Sequence, residues 1–295
     1  MHNPGLHPQP AASEASPRLP KLAMLLLAIA SISASAAAPL SIVHAVVSDS
    51  DGGGPLPSGF THIAGEVMFF SFQVDGYKAS SADKLLLTYK IDAFDPGGVR
   101  IVETIDDKVE GALAPEDKNW KPTVHHEIAI PPLAGSGTYK IVVALKDEIA
   151  DATASLEIPI QVSGHRVDPS GALVIRNFHF YRGEDDTQPL PKAAYRPGAA
   201  VWARFDIIGF KYGEANSLDL SYGVTVTSPS GKVLYSEPQA GADKSQSFYP
   251  KRYVPASMSL QTKPDTRPGE YGVVVTAHDN LGGQTYESHQ SFTIE

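Results

Sequence analysis

The sequence predicts an all-β protein made of two tandem copies of one β-sandwich behind an N-terminal leader. Three observations carry this. Apolar residues alternate with polar ones in many short runs. Gly, Pro, Asp and Ser separate those runs, and no helix-period segment follows the leader. A stretch beginning at Gly65 recurs 133 positions later.

The leader comes first. Arg18 and Lys21 precede an apolar run from Leu22 to Ile32, followed by small residues from Ser33 to Ala38. Ala34-Ser35-Ala36 and Ala36-Ala37-Ala38 both fit a cleavage box, the anatomy of a secretory signal peptide. Residues 1–38 are therefore read as a signal peptide, and the mature chain as exported, periplasmic or extracellular. The competing reading is an uncleaved anchor, since no Asp, Glu, Lys or Arg lies between Lys21 and Asp49. Ser, Ala and Pro39 interrupt that stretch. With no second apolar run, no stable membrane span is expected once the leader is removed.

The repeat fixes the domain count. At a shift of 133, Gly65 meets Gly198, Phe72 meets Phe205, Gly76 meets Gly209 and Lys78 meets Lys211. Leu85, Leu87 and Tyr89 meet Leu218, Leu220 and Tyr222, and Pro96 and Gly98 meet Pro229 and Gly231. Trp120 and Pro122 meet Tyr253 and Pro255; one residue is then lost. At a shift of 132, Pro132, Gly137, Tyr139 and Asp147 meet Pro264, Gly269, Tyr271 and Asp279. A period this long means duplicated domains, here 40–163 and 172–295, joined by a polar, turn-rich stretch from Ser163 to Gly171.

Each copy reads as strands. Leu85, Leu87, Tyr89 and Ile91 share one face, opposite Thr88, Lys90 and Asp92. Ile141, Val143 and Leu145 repeat the pattern, as do Leu156, Ile158, Ile160 and Val162. Asp95-Pro96-Gly97-Gly98 and Ser228-Pro229-Ser230-Gly231 are turns between strands. Tyr139 and Tyr271 each follow a Gly turn and open an alternating strand, which looks like the tyrosine corner of immunoglobulin-like domains. The expected fold is two tandem immunoglobulin-like β-sandwich domains. From about residue 40 to 295 the chain resembles bacterial exported proteins with Ig-like or fibronectin-III-like repeats. That resemblance implies a role in binding, adhesion or assembly.

Composition narrows the partners. The formal charge of −9 opposes phosphate backbones, and no Lys/Arg cluster offsets it, so nucleic acid is not an expected partner. With no Cys, neither disulfides nor thiolate metal sites are available. A 42 % hydrophobic content lets the cores hold the fold instead.

Candidate chemistry is sparse. His125 and Glu127 share a strand face in His125-His126-Glu127 and are metal-ligand types, but no third ligand can be assigned. Asp49 and Asp51 loosely resemble the start of a calcium loop, without its closing Glu. No metal site is assigned from these four, and no cofactor. Ser247 to Tyr253 alternates aromatic and basic residues; Tyr253 is expected to plug the core as Trp120 does, leaving Tyr249 and Arg252 as surface anchors. Glu184, Asp185 and Asp186 form an acidic loop read as surface. No Gly-x-Ser-x-Gly elbow or phosphate-binding Gly loop is present. The expected function is a non-catalytic binding or adhesion module with a protein or glycan partner. The alternatives are a structural spacer in an envelope assembly, or a calcium-dependent or hydrolytic module. A ligand is expected on one copy, the second by preference.

Overall fold

The computed structural model describes residues 38–117 and 119–295. Almost all of the signal-peptide reading therefore lies outside the described residues. Among them, no helix is long and apolar enough to cross a membrane.

Among the described residues, sixteen strands account for nearly all regular structure. The first eight are β1 (Ser41–Ser48), β2 (Thr61–Ile63), β3 (Val67–Asp75), β4 (Lys84–Phe94), β5 (Ile105–Ala112), β6 (Thr123–Ala129), β7 (Gly137–Asp147) and β8 (Ala152–Ser163). They form a sheet of order β1-β3-β6 facing one of order β2-β8-β7-β4-β5. The second eight are β9 (Val174–Tyr181), β10 (Ala194–Tyr195), β11 (Ala200–Ile208), β12 (Leu218–Thr227), β13 (Val233–Ser245), β14 (Val254–Gln261), β15 (Gly269–Asp279) and β16 (Gln284–Ile294). Their sheets run β9-β11-β14 and β10-β16-β15-β12-β13, the same order strand for strand. Even the short parallel pairing of β2 with β8 recurs as β10 with β16.

Alternation explains why these segments are strands. On β4 the side chains of Leu85, Leu87, Tyr89 and Ile91 enter the core at 5 % exposure or less, while those between them face outward. Phe72 and Phe205 sit at matching positions in the two cores, each at most 2 % exposed. Burying such a ring contributes roughly 1.5–3 kcal/mol.

The backbone repeats as closely as the side chains. Positive φ recurs in the pairs Gly65/Gly198, Gly76/Gly209, Gly98/Gly231 and Gly137/Gly269. At Gly76 and Gly209 any Cβ would collide with a backbone carbonyl, of Pro39 and Ala172 respectively, so glycine is required twice over. His44 and Asn177 also share a positive φ, each at a bulge in the first strand of its sandwich.

Both tyrosine corners are present. The Tyr139 hydroxyl donates to the Gly135 carbonyl and that of Tyr271 to the Arg267 carbonyl, each at 2.8 Å. Asp147 and Asp279 cap their hairpins alike. One carboxylate oxygen accepts two backbone amides of the turn. The other reaches across to the amide of Lys78 or Lys211. The repeat identities are thus structural residues.

The register corrects one alignment. Phe72 faces Val124, whereas Phe205 faces Ala256, so the residue is lost before β6 and not after Pro122. Trp120 therefore matches Arg252, and Tyr253 matches Lys121. This is why Tyr253 is buried at 6 % exposure while Trp120, expected to plug the first core, stands 47 % exposed.

The two sandwiches belong to one compact unit, residues 38–295. Tyr249, expected on the surface, is instead 7 % exposed and packs into the first core. Asp95 is the reason. Its Oδ1 accepts the Gly97 and Val99 amides of the first sandwich at 2.9 and 2.8 Å. Its Oδ2 accepts the Tyr249 hydroxyl at 3.0 Å and Arg252 Nη2 at 2.7 Å from the second. Burial, with the Asp95 charge adding to it, holds the Tyr249 hydroxyl above its ordinary pKa. Arg252, the other expected surface anchor, is spent on the same carboxylate. Tyr253, Val174 and Ile208 make a small apolar seam there with Leu133 and Val167.

Candidate recognition groove on the second sandwich

The copies part company on the outer face of the three-stranded sheet. On β11, Val201, Ala203, Phe205 and Ile207 point inward at 2 % exposure or less, so Trp202, Arg204 and Asp206 point outward. Pairing sets Trp202 between Tyr181 and Ser259, Arg204 between His179 and Ser257, and Asp206 between Arg176 and Pro255.

Each outward polar group is held in place. The Arg204 guanidinium lies 4.4 Å from the centre of the Tyr181 ring. Its Nη1 donates to the Asp186 carbonyl at 2.8 Å and its Nη2 to the Glu184 carbonyl. The acidic loop is thereby strapped to the sheet through its backbone, leaving the Glu184 and Asp185 side chains exposed. Asp206 is only 5 % exposed although it faces outward. Its Oδ2 accepts His165 Nε2 and Asn177 Nδ2, both at 2.7 Å. His165, from the segment joining the sandwiches, lies against Tyr253 with ring centres 4.8 Å apart.

These residues line a groove of about 1160 Å³ that includes Arg166, His179, Trp202 and Lys251. A second hollow of about 480 Å³ continues between β13 and β14, sharing Trp202, Tyr222 and Ser257 with the first. The opening has a local cause. Opposite Leu87, β5 supplies Val109, which packs on the first core. Opposite Leu220, β13 supplies Asp243, which turns to Lys251 Nζ at 2.7 Å. Opposite Tyr222 stands Gly241, and the Tyr222 ring lies where a side chain there would have to go. The Tyr222 hydroxyl, raised in pKa by burial, bridges to the Ser257 carbonyl at 2.6 Å. For Asp243, burial opposes ionisation, but Lys251 and Ser245 outweigh it and hold the carboxyl below its ordinary pKa.

On the same face of the first sandwich, Phe69 lies between Ser48 and Glu127, and Ser71 between Val46 and His125. A hollow of about 400 Å³ there is lined by His125, Glu127 and Asp51 among others. Asp49 does not line it, and accepts the Ser50 hydroxyl at 3.2 Å. Among the described residues no three His, Asp or Glu side chains come together as a metal-holding group. His126 points inward, its Nε2 2.9 Å from the Tyr89 hydroxyl.

Sequence reasoning missed Tyr181, Trp202, Arg204 and Asp206. The signal was in the repeat itself, because Trp202, Arg204 and Asp206 are the outward residues that replace Phe69, Ser71 and Gln73. His165 carries no such signal, since it lies between the repeats.

No family model matches the sequence, and no curated protein matches it. Similar solved structures include the C-terminal domain of the Streptococcus agalactiae AgI/II polypeptide BspA. The identity is 10 % over 86 % of this chain and 100 % of that one, with a TM-score of 0.32. The C-terminal domain of the Streptococcus pyogenes antigen I/II-family protein AspA is similar at 10 % identity over 87 % of this chain and 99 % of that one, again at 0.32. At these values neither bears on what this chain binds.

Proposed function

We propose that this protein is an exported, non-catalytic binding module with a protein or glycan partner. Residues 40–163 act as a domain that holds the second, 172–295, which presents the groove. The observation that carries this is the Tyr181–Trp202–Arg204 face, where Arg204 is fixed over the Tyr181 ring by partners other than a ligand. Such preorganisation lowers the ordering cost of binding. The leader supports export. The buried carboxylates Asp95, Asp147, Asp206 and Asp279 are all consumed by structural hydrogen bonds, which favours binding over catalysis. The Asp95–Tyr249–Arg252 contact also suits a spacer, and a rigid base for the groove and a rigid spacer are the same object mechanically.

Screening the intact protein against arrays of purified glycans and envelope proteins tests the proposal. A specific hit lost in Trp202→Ala, with melting temperature retained, is expected. Hits that ignore the groove, or none, would leave the spacer as the better reading.

A further inference from the structure

We infer that the groove binds an acidic, uronate-bearing oligosaccharide, its chain crossing Trp202. This rests on the binding-module reading above and names the ligand class of that site.

Charge is the first ground. The protein carries a formal −9, yet the groove's lining sets Arg166, Arg204 and Lys251 against its three acids and adds His165 and His179. The nearby acids are already used: Asp206 by His165 and Asn177, Asp243 by Lys251. Among the described residues, Arg166, Arg176 and Arg204 form no ion pair, in contrast to Arg252, which pairs with Asp95. Glu184 at the larger hollow and Glu237 at the smaller are the exposed acids among the described lining residues. Both terminal nitrogens of Arg204 already serve the Asp186 and Glu184 carbonyls, so Arg166, which lines the groove from the joining segment, is the fork that meets a planar carboxylate.

Shape and surface are the second ground. Trp202, partly exposed, offers amphipathic ring surface of the kind that covers the C–H face of a pyranose, and hydroxyls and imidazoles lie one strand row away. The larger hollow slightly exceeds the size usual for small-ligand sites, and the smaller one extends it past Trp202 along β13. A ligand that is a chain, with an apolar ring face and a carboxylate per unit, satisfies both features together. A folded acidic protein would need a broader contact than this trough, on the order of 800 Å² per partner.

The test is calorimetric titration of the intact protein with hexamers of galacturonate, mannuronate and hyaluronate. A neutral gluco-oligosaccharide and poly-glutamate serve as comparators. At least one uronate hexamer should bind at least tenfold more tightly than the neutral sugar and poly-glutamate. The affinity should fall several-fold on raising salt from 0.05 to about 0.5 M. Trp202→Ala and Arg166→Ala should each weaken it about tenfold, and His125→Ala, on the matching face of the first sandwich, should leave it unchanged. A retained melting temperature separates these losses from unfolding. Binding to none of the three hexamers, or binding indifferent to Trp202, overturns the inference. If the neutral sugar or poly-glutamate binds best and does so through Trp202, the acidic-sugar inference falls while the binding module stands.

Discussion

The two sandwiches share their strand order, their positive-φ glycines, their tyrosine corners and their Asp-capped hairpins. They differ on the outer face of the three-stranded sheet and at the ends that touch. On β3 that face reads Phe69, Ser71, Gln73; on β11 it reads Trp202, Arg204, Asp206. Duplicated folds keep what the core and turns demand and are free to change where only solvent or a partner is met. The difference therefore separates the residues that make the fold from those available for a function.

The largest expected effect tests the shared part. Phe72→Ala and Phe205→Ala should each cost about 3–5 kcal/mol in denaturant unfolding, because each removes a fully buried ring and leaves a cavity. A difference of more than about 2 kcal/mol between them would show that the two cores are not equivalent.

Next comes a position where the copies part. Asp95→Ala strips partners from two turn amides, from the buried Tyr249 hydroxyl and from half-exposed Arg252, and about 3 kcal/mol should be lost. Ser228, at the matching turn, only holds the Lys232 amide and Ser230, so Ser228→Ala should cost less than about 1 kcal/mol. Equal losses would mean that the inter-sandwich contact adds nothing to stability.

Smaller still is the tyrosine corner. Tyr271→Phe removes one hydrogen bond to the Arg267 carbonyl and should cost about 1 kcal/mol by the same measurement.

The smallest effect is a pH dependence confined to the first copy. Burial, with His125 beside it, outweighs the pull of Asp107 and holds His126 below its ordinary 6.5. The unfolded chain then binds this proton more readily than the native one. Stability should fall as pH drops below about 6.5 and continue falling until the folded value is passed. Met258 stands at the matching position in the second copy, facing Ala203 as His126 faces Phe70. His126→Met should flatten the profile between pH 5 and 7. One Trp per copy, Trp120 and Trp202, lets fluorescence of single-Trp variants assign the change to the first sandwich.

Legibility in the sequence followed the same division. Period-two runs such as Leu85 to Ile91 and the Gly–Tyr corners are fixed by backbone geometry, and they were readable. Tyr249 was not, because whether an aromatic residue in a loop faces solvent or a neighbouring sandwich depends on Asp95, 154 positions away. The true counterpart of Trp120 is hidden because a deletion between strands has no local signature; the pairing of Phe72 with Val124 and of Phe205 with Ala256 reveals it. Residue type alone singles out His125, Glu127 and Asp51; they line one hollow, on the face that in the second copy carries the groove, without forming a metal-holding group. The groove itself depends on an absence, Gly241 and Asp243 where β5 has Asp107 and Val109, and an absence is hard to see without the register.

The most direct test of this division is amide-resolved NMR of the intact protein titrated with uronate hexamer. Shifts at Tyr181, Trp202 with its indole N–H, and Arg204, with silence at Phe69, Ser71, His125 and Glu127, are the predicted result. Shifts centred on the β1-β3-β6 face, or spread evenly over both sandwiches, would contradict it.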